Sequence, residues 1–285
     1  MTRFGVPTAS DRLLLWFTTG LLCCCTYDWR RVRRFVLEWC PLVVLILAYD
    51  FARGRAGHFF TQAHVLPQIW VGRYLGGGTV PVVWLQRHLW HGPFDLQWYD
   101  YACWGVYMSF FFVTPVVAAA LWLRNPHAFR LYAGMTLTLA FGGVVTFALF
   151  PAMPPWLASQ NHFLPPVTHI INVVSSHFRF IDSSGLFEGE RYANLVAAIP
   201  SLHAAYSLLA ALMLASLTRR RVRYALFLYP LAMAFTLTYT AEHYTIDILL
   251  GWLYAYAAYR LVRRVVESPR EDTARDYRRW LPRRG

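Results

Sequence analysis

Long apolar stretches recur along the chain, and short runs of arginine separate them. A hydrocarbon core of about 30 Å takes roughly 20 residues of α-helix. Segments 35–53, 101–123, 130–150, 224–241 and 245–264 come near that length, and 200–217 falls slightly short. The pattern predicts an all-α, polytopic membrane protein whose six spans form one transmembrane bundle. Residues 13–27 are also apolar and follow Arg3 and Arg12, as the core of a signal peptide would, but no small-residue cleavage site follows them. They are read as an interfacial helix within an N-terminal segment, 1–34, on the cytoplasmic side. Residues 35–265 then make up the membrane domain and 266–285 a basic cytoplasmic tail, with Pro269 expected to stop the last helix.

The arginines orient this bundle. Arg30, Arg31, Arg33 and Arg34 precede the first span, Arg124 and Arg130 flank the next inner turn, and Arg219, Arg220, Arg221 and Arg223 fill the third. With the nine that follow residue 259, a six-span path gathers 19 of the 27 arginines on one side, which the positive-inside rule makes cytoplasmic. The connections 54–100 and 151–199 then face outward. Residues 58–91 are rich in Trp, Tyr, His, Gly and Pro, the composition of chain lying at headgroup level, and the two connections are expected to roof the bundle at the outer face of a plasma membrane.

Composition agrees: 57% of the 285 residues are hydrophobic and only 15% charged, too apolar for a soluble domain. The net charge of +12 lies beside apolar segments, where it meets anionic lipid and not nucleic acid. Every fixed positive charge is an arginine. Cys23, Cys24, Cys25, Cys40 and Cys103 have no metal-knuckle or redox spacing and read as membrane hydrophobes.

Ionisable groups at the ends of spans are functional candidates because they are costly in lipid. His243 and Asp247 are four apart, so on a helix the carboxylate can accept from one imidazole nitrogen and leave the other free to attack. In IPSLHAAYS (199–207), Pro200 suits a first helical turn, whose backbone N–H groups bind anions; Ser201 adds a hydroxyl and His203 a proton. The topology puts His203 and His243 on the same side. Two histidines and a carboxylate at an anion-binding helix start fit phosphoryl transfer through a covalent intermediate, in which one histidine attacks phosphorus and the other protonates the leaving oxygen. Arg179 and Arg191 are the candidate phosphate ligands, ahead of Arg53, Arg55, Arg73 and Arg87. Asp182 and Asn194 are candidates for an acceptor hydroxyl, or turn residues.

FPAMPPW (150–156), IPSLHAAYS (199–207) and YTAEHYTIDILLGW (239–252) together resemble the type 2 phosphatidic acid phosphatase superfamily, in its inositol phosphorylceramide synthase and inositolphosphotransferase branch, across roughly residues 95–265. The resemblance implies that His243 is the nucleophile, forming a phosphohistidine, that Asp247 orients it, and that His203 protonates the leaving group. Phosphatase members carry a Ser-Arg pair before the nucleophile where this chain has Thr236 and Leu237, lack of which favours the transferase branch. Leu202 stands where they have glycine.

The expected partners are membrane lipids, with a phospholipid or polyprenyl phosphate as donor and inositol or another polyol as acceptor; no cofactor is expected. A zinc site is not expected, since no HExxH spacing accompanies the two histidines. His58, His64, His88, His91, His162, His169 and His177 read as ordinary interfacial residues, and Glu242 as facing the headgroups. Hydrolysis of a lipid phosphate and a non-enzymatic lipid carrier stay open as alternatives.

Overall fold

The computed structural model describes residues 19, 29–56, 63–178 and 195–279, the final stretch from 267 onward as backbone alone. Residues 13–27 and the Cys23–Cys25 run lie outside that set. The described residues form eleven helices and no strand. In chain order these are α1 (Trp29–Ala56), α2 (Leu66–Leu75), α3 (Pro81–Leu89), α4 (Trp98–Arg124), α5 (Pro126–Leu149), α6 (Pro155–Gln160), α7 (Ile170–His177), α8 (Leu202–Leu217), α9 (Arg220–Leu226), α10 (Leu228–Tyr239) and α11 (Thr245–Arg279).

The all-α expectation holds. Of the described helices, α4 and α5 are long and apolar enough to cross a membrane. They are joined by Asn125 alone, which ends α4 and caps α5 by accepting the Ala128 amide at 3.1 Å. Pro126 occupies the first turn, where its missing N–H costs nothing. This turn is therefore shorter than the expected 124–130 connection.

Three expected boundaries are corrected. The stretch 224–241 is two helices, α9 and α10, parted at Phe227. Pro230 explains the break: it has no N–H to offer the Leu226 carbonyl and its ring crowds that group. At the chain's end, α11 continues through Pro269 to Arg279. A proline in an exposed helix removes one hydrogen bond and can bend the helix without stopping it. Pro200 lies one residue before the helix cap and not in its first turn, since α8 begins at Leu202 with Ser201 as N-cap.

Helix α8 is the hub, packing against α4, α5, α10 and α11. Its small residues Ala204, Ala205, Ala210, Ala211 and Ala215 are buried and let those neighbours approach closely. On α5, Gly143 leaves room for Leu202: a Cβ there would stand 3.0 Å from Leu202 Cδ2. The bulky residue of the PSLH segment is thus accommodated by a glycine on another helix.

The described parts of the two long connections, 63–97 and 151–178, fold over one end of the packed helices. Helix α2 packs on α11, α3 on α10 and α7 on α4. Backbone hydrogen bonds tie the connections together, from His64 N to Pro151 O (2.8 Å), Met153 N to His64 O (3.0 Å) and Ala152 N to Val196 O (2.6 Å). Trp70, Tyr74, Trp84 and Phe94 remain exposed, as an aromatic belt at a headgroup layer would be.

Candidate active site

The site forms where the start of α8 meets the turn between α10 and α11. Ser201 caps α8, its hydroxyl oxygen accepting the Ala204 amide at 3.3 Å, while its own amide donates to the Asp247 carbonyl at 3.0 Å. That cap leaves the Ser201 O–H as a donor. The contact requires Gly251, because a Cβ at that position would lie 2.3 Å from the Ser201 carbonyl oxygen. Helices α8 and α11 therefore touch backbone to backbone beside the site.

His203 and His243 come together, with ring centroids 5.9 Å apart. Tyr107 stacks on His203 at 4.8 Å and Phe110 lies at 4.1 Å, so α4 supplies an aromatic wall. Asp247 is fully buried, and its Oδ2 stands 3.6 Å from His243 Nδ1. At that distance the carboxylate orients the ring electrostatically, and a small closure makes a hydrogen bond. The same Oδ2 accepts the Tyr244 amide at 2.9 Å, capping α11, so Asp247 is also structural.

The turn that carries His243 is held in a demanding shape. Ala241 has φ +65°, a left-handed conformation that costs a non-glycine residue roughly 1–2 kcal/mol. The Leu237 carbonyl accepts both Glu242 N (3.0 Å) and His243 N (3.1 Å), and Trp156 N donates to Ala241 O at 3.1 Å. Gln86 adds a brace from α3, donating to Tyr239 O and Thr168 O at 2.8 Å each and accepting Thr168 N at 2.7 Å. Tyr239 in turn donates to the buried Asp100 at 2.6 Å.

Two residues expected at the headgroup surface are instead part of this structure. His169 Nε2 lies 2.6 Å from Glu242 Oε1, and the His169 ring stacks on Trp156 at 4.9 Å. Both side chains are mostly covered, 19% and 13% exposed. The roof loop has brought them together, which interfacial composition gave no sign of. Burial alone would push the Glu242 carboxyl up; the charge and hydrogen bond of His169, with the more distant His203 and His243, outweigh it and hold the carboxyl below its ordinary value. The stability this pairing contributes is complete above the ordinary carboxylate range and is lost as pH falls through the lowered value. Glu242→Gln is expected to flatten that acid dependence in thermal melts and to reduce turnover on the order of tenfold, because the turn bearing His243 loses its hold. An unchanged acid profile would count against the pairing.

Arg179, Arg191, Asp182 and Asn194 lie outside the described residues, as does His58. Arg73 and Arg87 are exposed on the last turns of α2 and α3. Among the described residues no group of three or more His, Cys, Asp or Glu side chains is arranged to hold a metal ion.

The family model described as the PAP2 superfamily matches residues 83–261, which include α4, α5, the roof segment 151–199 and both histidines. The chain belongs to the PAP2 superfamily. It is 36% identical over 132 residues to the phosphoinositol dihydroceramide synthase of Bacteroides thetaiotaomicron, covering 43% of this chain and 42% of that protein. The chain thus aligns with less than half the length of this curated relative. No solved structure matches it. That relative's name is consistent with the inositol phosphorylceramide synthase-like branch indicated by the three motifs.

Proposed function

We infer that the protein is a membrane lipid phosphotransferase that moves a phosphoinositol-type headgroup from a donor phospholipid to an acceptor hydroxyl through a phosphohistidine at His243. The approach of His203 to His243 beside buried Asp247 carries this reading. With Nδ1 turned to Asp247, His243 attacks phosphorus through Nε2; the N–P bond forms as the P–O bond to the leaving lipid alcohol breaks. His203 gives its proton to that oxygen. In the second half the acceptor hydroxyl passes a proton to His203 as its oxygen displaces His243 from phosphorus. Ser201, Arg179 and Arg191 are the proposed phosphate ligands, and Asp182 and Asn194 the proposed acceptor-binding residues.

The aromatic wall of Tyr107 and Phe110 against His203 supports transfer over hydrolysis, since it limits water beside the proton donor. The name of the curated relative suggests dihydroceramide as an acceptor, with inositol or another polyol as the competing choice. We place the histidines at the outer face of the plasma membrane, with α1, α4, α5, α8, the α9–α10 pair and α11 as six crossings and both termini cytoplasmic. The arginine-bearing turns at the opposite end support that orientation.

The test supplies purified protein with phosphatidylinositol tritiated in its headgroup, alone, with dihydroceramide, or with free inositol. Label is expected to appear on a second lipid only when dihydroceramide is present. Release of water-soluble inositol phosphate at the same rate in every arm would make the protein a hydrolase. Absence of turnover in every arm, with release of phosphate from phosphatidate or a polyprenyl phosphate, would do the same.

A further inference from the structure

At the end of the bundle away from the histidines, Arg30, Arg33, Arg34, Leu37, Glu38 and Arg130 line a cleft of about 340 Å³. Trp122 of α4 touches it, about 22 Å along that helix from the Tyr107 that stacks on His203. We propose that this cleft binds the headgroup of an anionic phospholipid, at a site separate from the one that holds substrate.

The cleft is built before any ligand arrives. Glu38, whose side chain is 13% exposed, accepts Trp122 Nε1 at 2.7 Å, Arg34 Nε at 3.1 Å and Arg130 Nη2 at 2.8 Å. The Arg34 guanidinium also lies over the Trp122 ring at 5.3 Å. Two guanidiniums are thereby fixed in place, which lowers the ordering cost of binding a phosphodiester. Among the described residues the lining holds one carboxylate and four guanidiniums. Three of those arginines, Arg30, Arg33 and Arg34, lie within five residues of one another on α1, which concentrates their charge on one stretch of the helix.

The surroundings select a lipid over a free anion. Leu37 and Leu123 are each 62% exposed, and Val36 is 45% exposed, so apolar surface for acyl chains adjoins the charged lining. Basic pockets between membrane helices are the usual seat of anionic headgroups.

Native mass spectrometry of the full chain in detergent, titrated with phosphatidylglycerol or phosphatidylcholine, tests this. The double variant Arg30→Gln/Arg33→Gln leaves the Glu38 network intact, and Arg219→Gln/Arg221→Gln removes as much charge from an exposed turn elsewhere. Binding of phosphatidylglycerol is expected to weaken at least tenfold in the first and less than twofold in the second. Equal losses in both, or equal binding of the two lipids by the parent chain, would overturn the proposal. Displacement of phosphatidylglycerol by millimolar inorganic phosphate would overturn it too, by making the bare anion the ligand.

Discussion

Replacing His243 with alanine is expected to reduce turnover by at least roughly 10³-fold while the protein still folds, because the side chain that would bond to phosphorus is gone. The imidazole makes no hydrogen bond that holds the turn: Glu242 N and His243 N both use the Leu237 carbonyl through the backbone. His203→Ala is expected to cost about 10²–10⁴-fold, and the loss should shrink when the leaving alcohol is replaced by one that departs without a proton. That dependence on leaving group separates a proton donor from a mere packing residue stacked on Tyr107. Single-turnover reactions with a donor whose leaving group departs without a proton, followed by mass spectrometry of the peptide containing His243, should show the added phosphoinositol group in His203→Ala, where transfer to the acceptor is slow, and none in His243→Ala. Full activity in the His243 variant, or the modification on another residue, would discard the phosphohistidine.

The same residues show what sequence makes visible and what it hides. The i, i+4 spacing of His243 and Asp247 pointed to a contact on one helix face; the two side chains do approach to 3.6 Å, but His243 lies in the turn before α11, which begins at Thr245. The meeting of His203 with His243 followed from counting spans and arginines, which put both helix starts at one end. The break at Phe227 was written in Pro230, but an average over apolar residues passes across a single proline. The Glu242–His169 pair was of another kind. Its members are 73 residues apart and meet only because Trp156 and Gln86 dock the roof loop on the α10–α11 turn. No periodicity within either segment reports a partner so far along the chain. Gly143 and Leu202 make the same point, since the departure from glycine in PSLH is explained only by a gap on another helix.

Gly251→Ala is expected to damage the site without touching any reacting group. In an open helix, glycine to alanine would add up to about 1 kcal/mol of stability. Here the new Cβ would stand 2.3 Å from the Ser201 carbonyl oxygen, a backbone atom with no rotamer to escape into. Restoring ordinary contact means parting α8 from α11 by on the order of 1 Å, and overpacking of that kind costs about 1–3 kcal/mol, which outweighs the propensity gain. The separation acts on the hydrogen bond from Ser201 N to Asp247 O, now 3.0 Å, and so on the placement of His203 against His243. A misplacement of that size costs about 10²-fold in rate even when the protein remains folded. Gly105 on α4, where a Cβ would meet nothing within 4 Å, gives the matched control: Gly105→Ala should keep full activity and melt no lower than the parent. Equal activity in the two variants would mean that the close crossing of α8 and α11 does not set the geometry of the histidines.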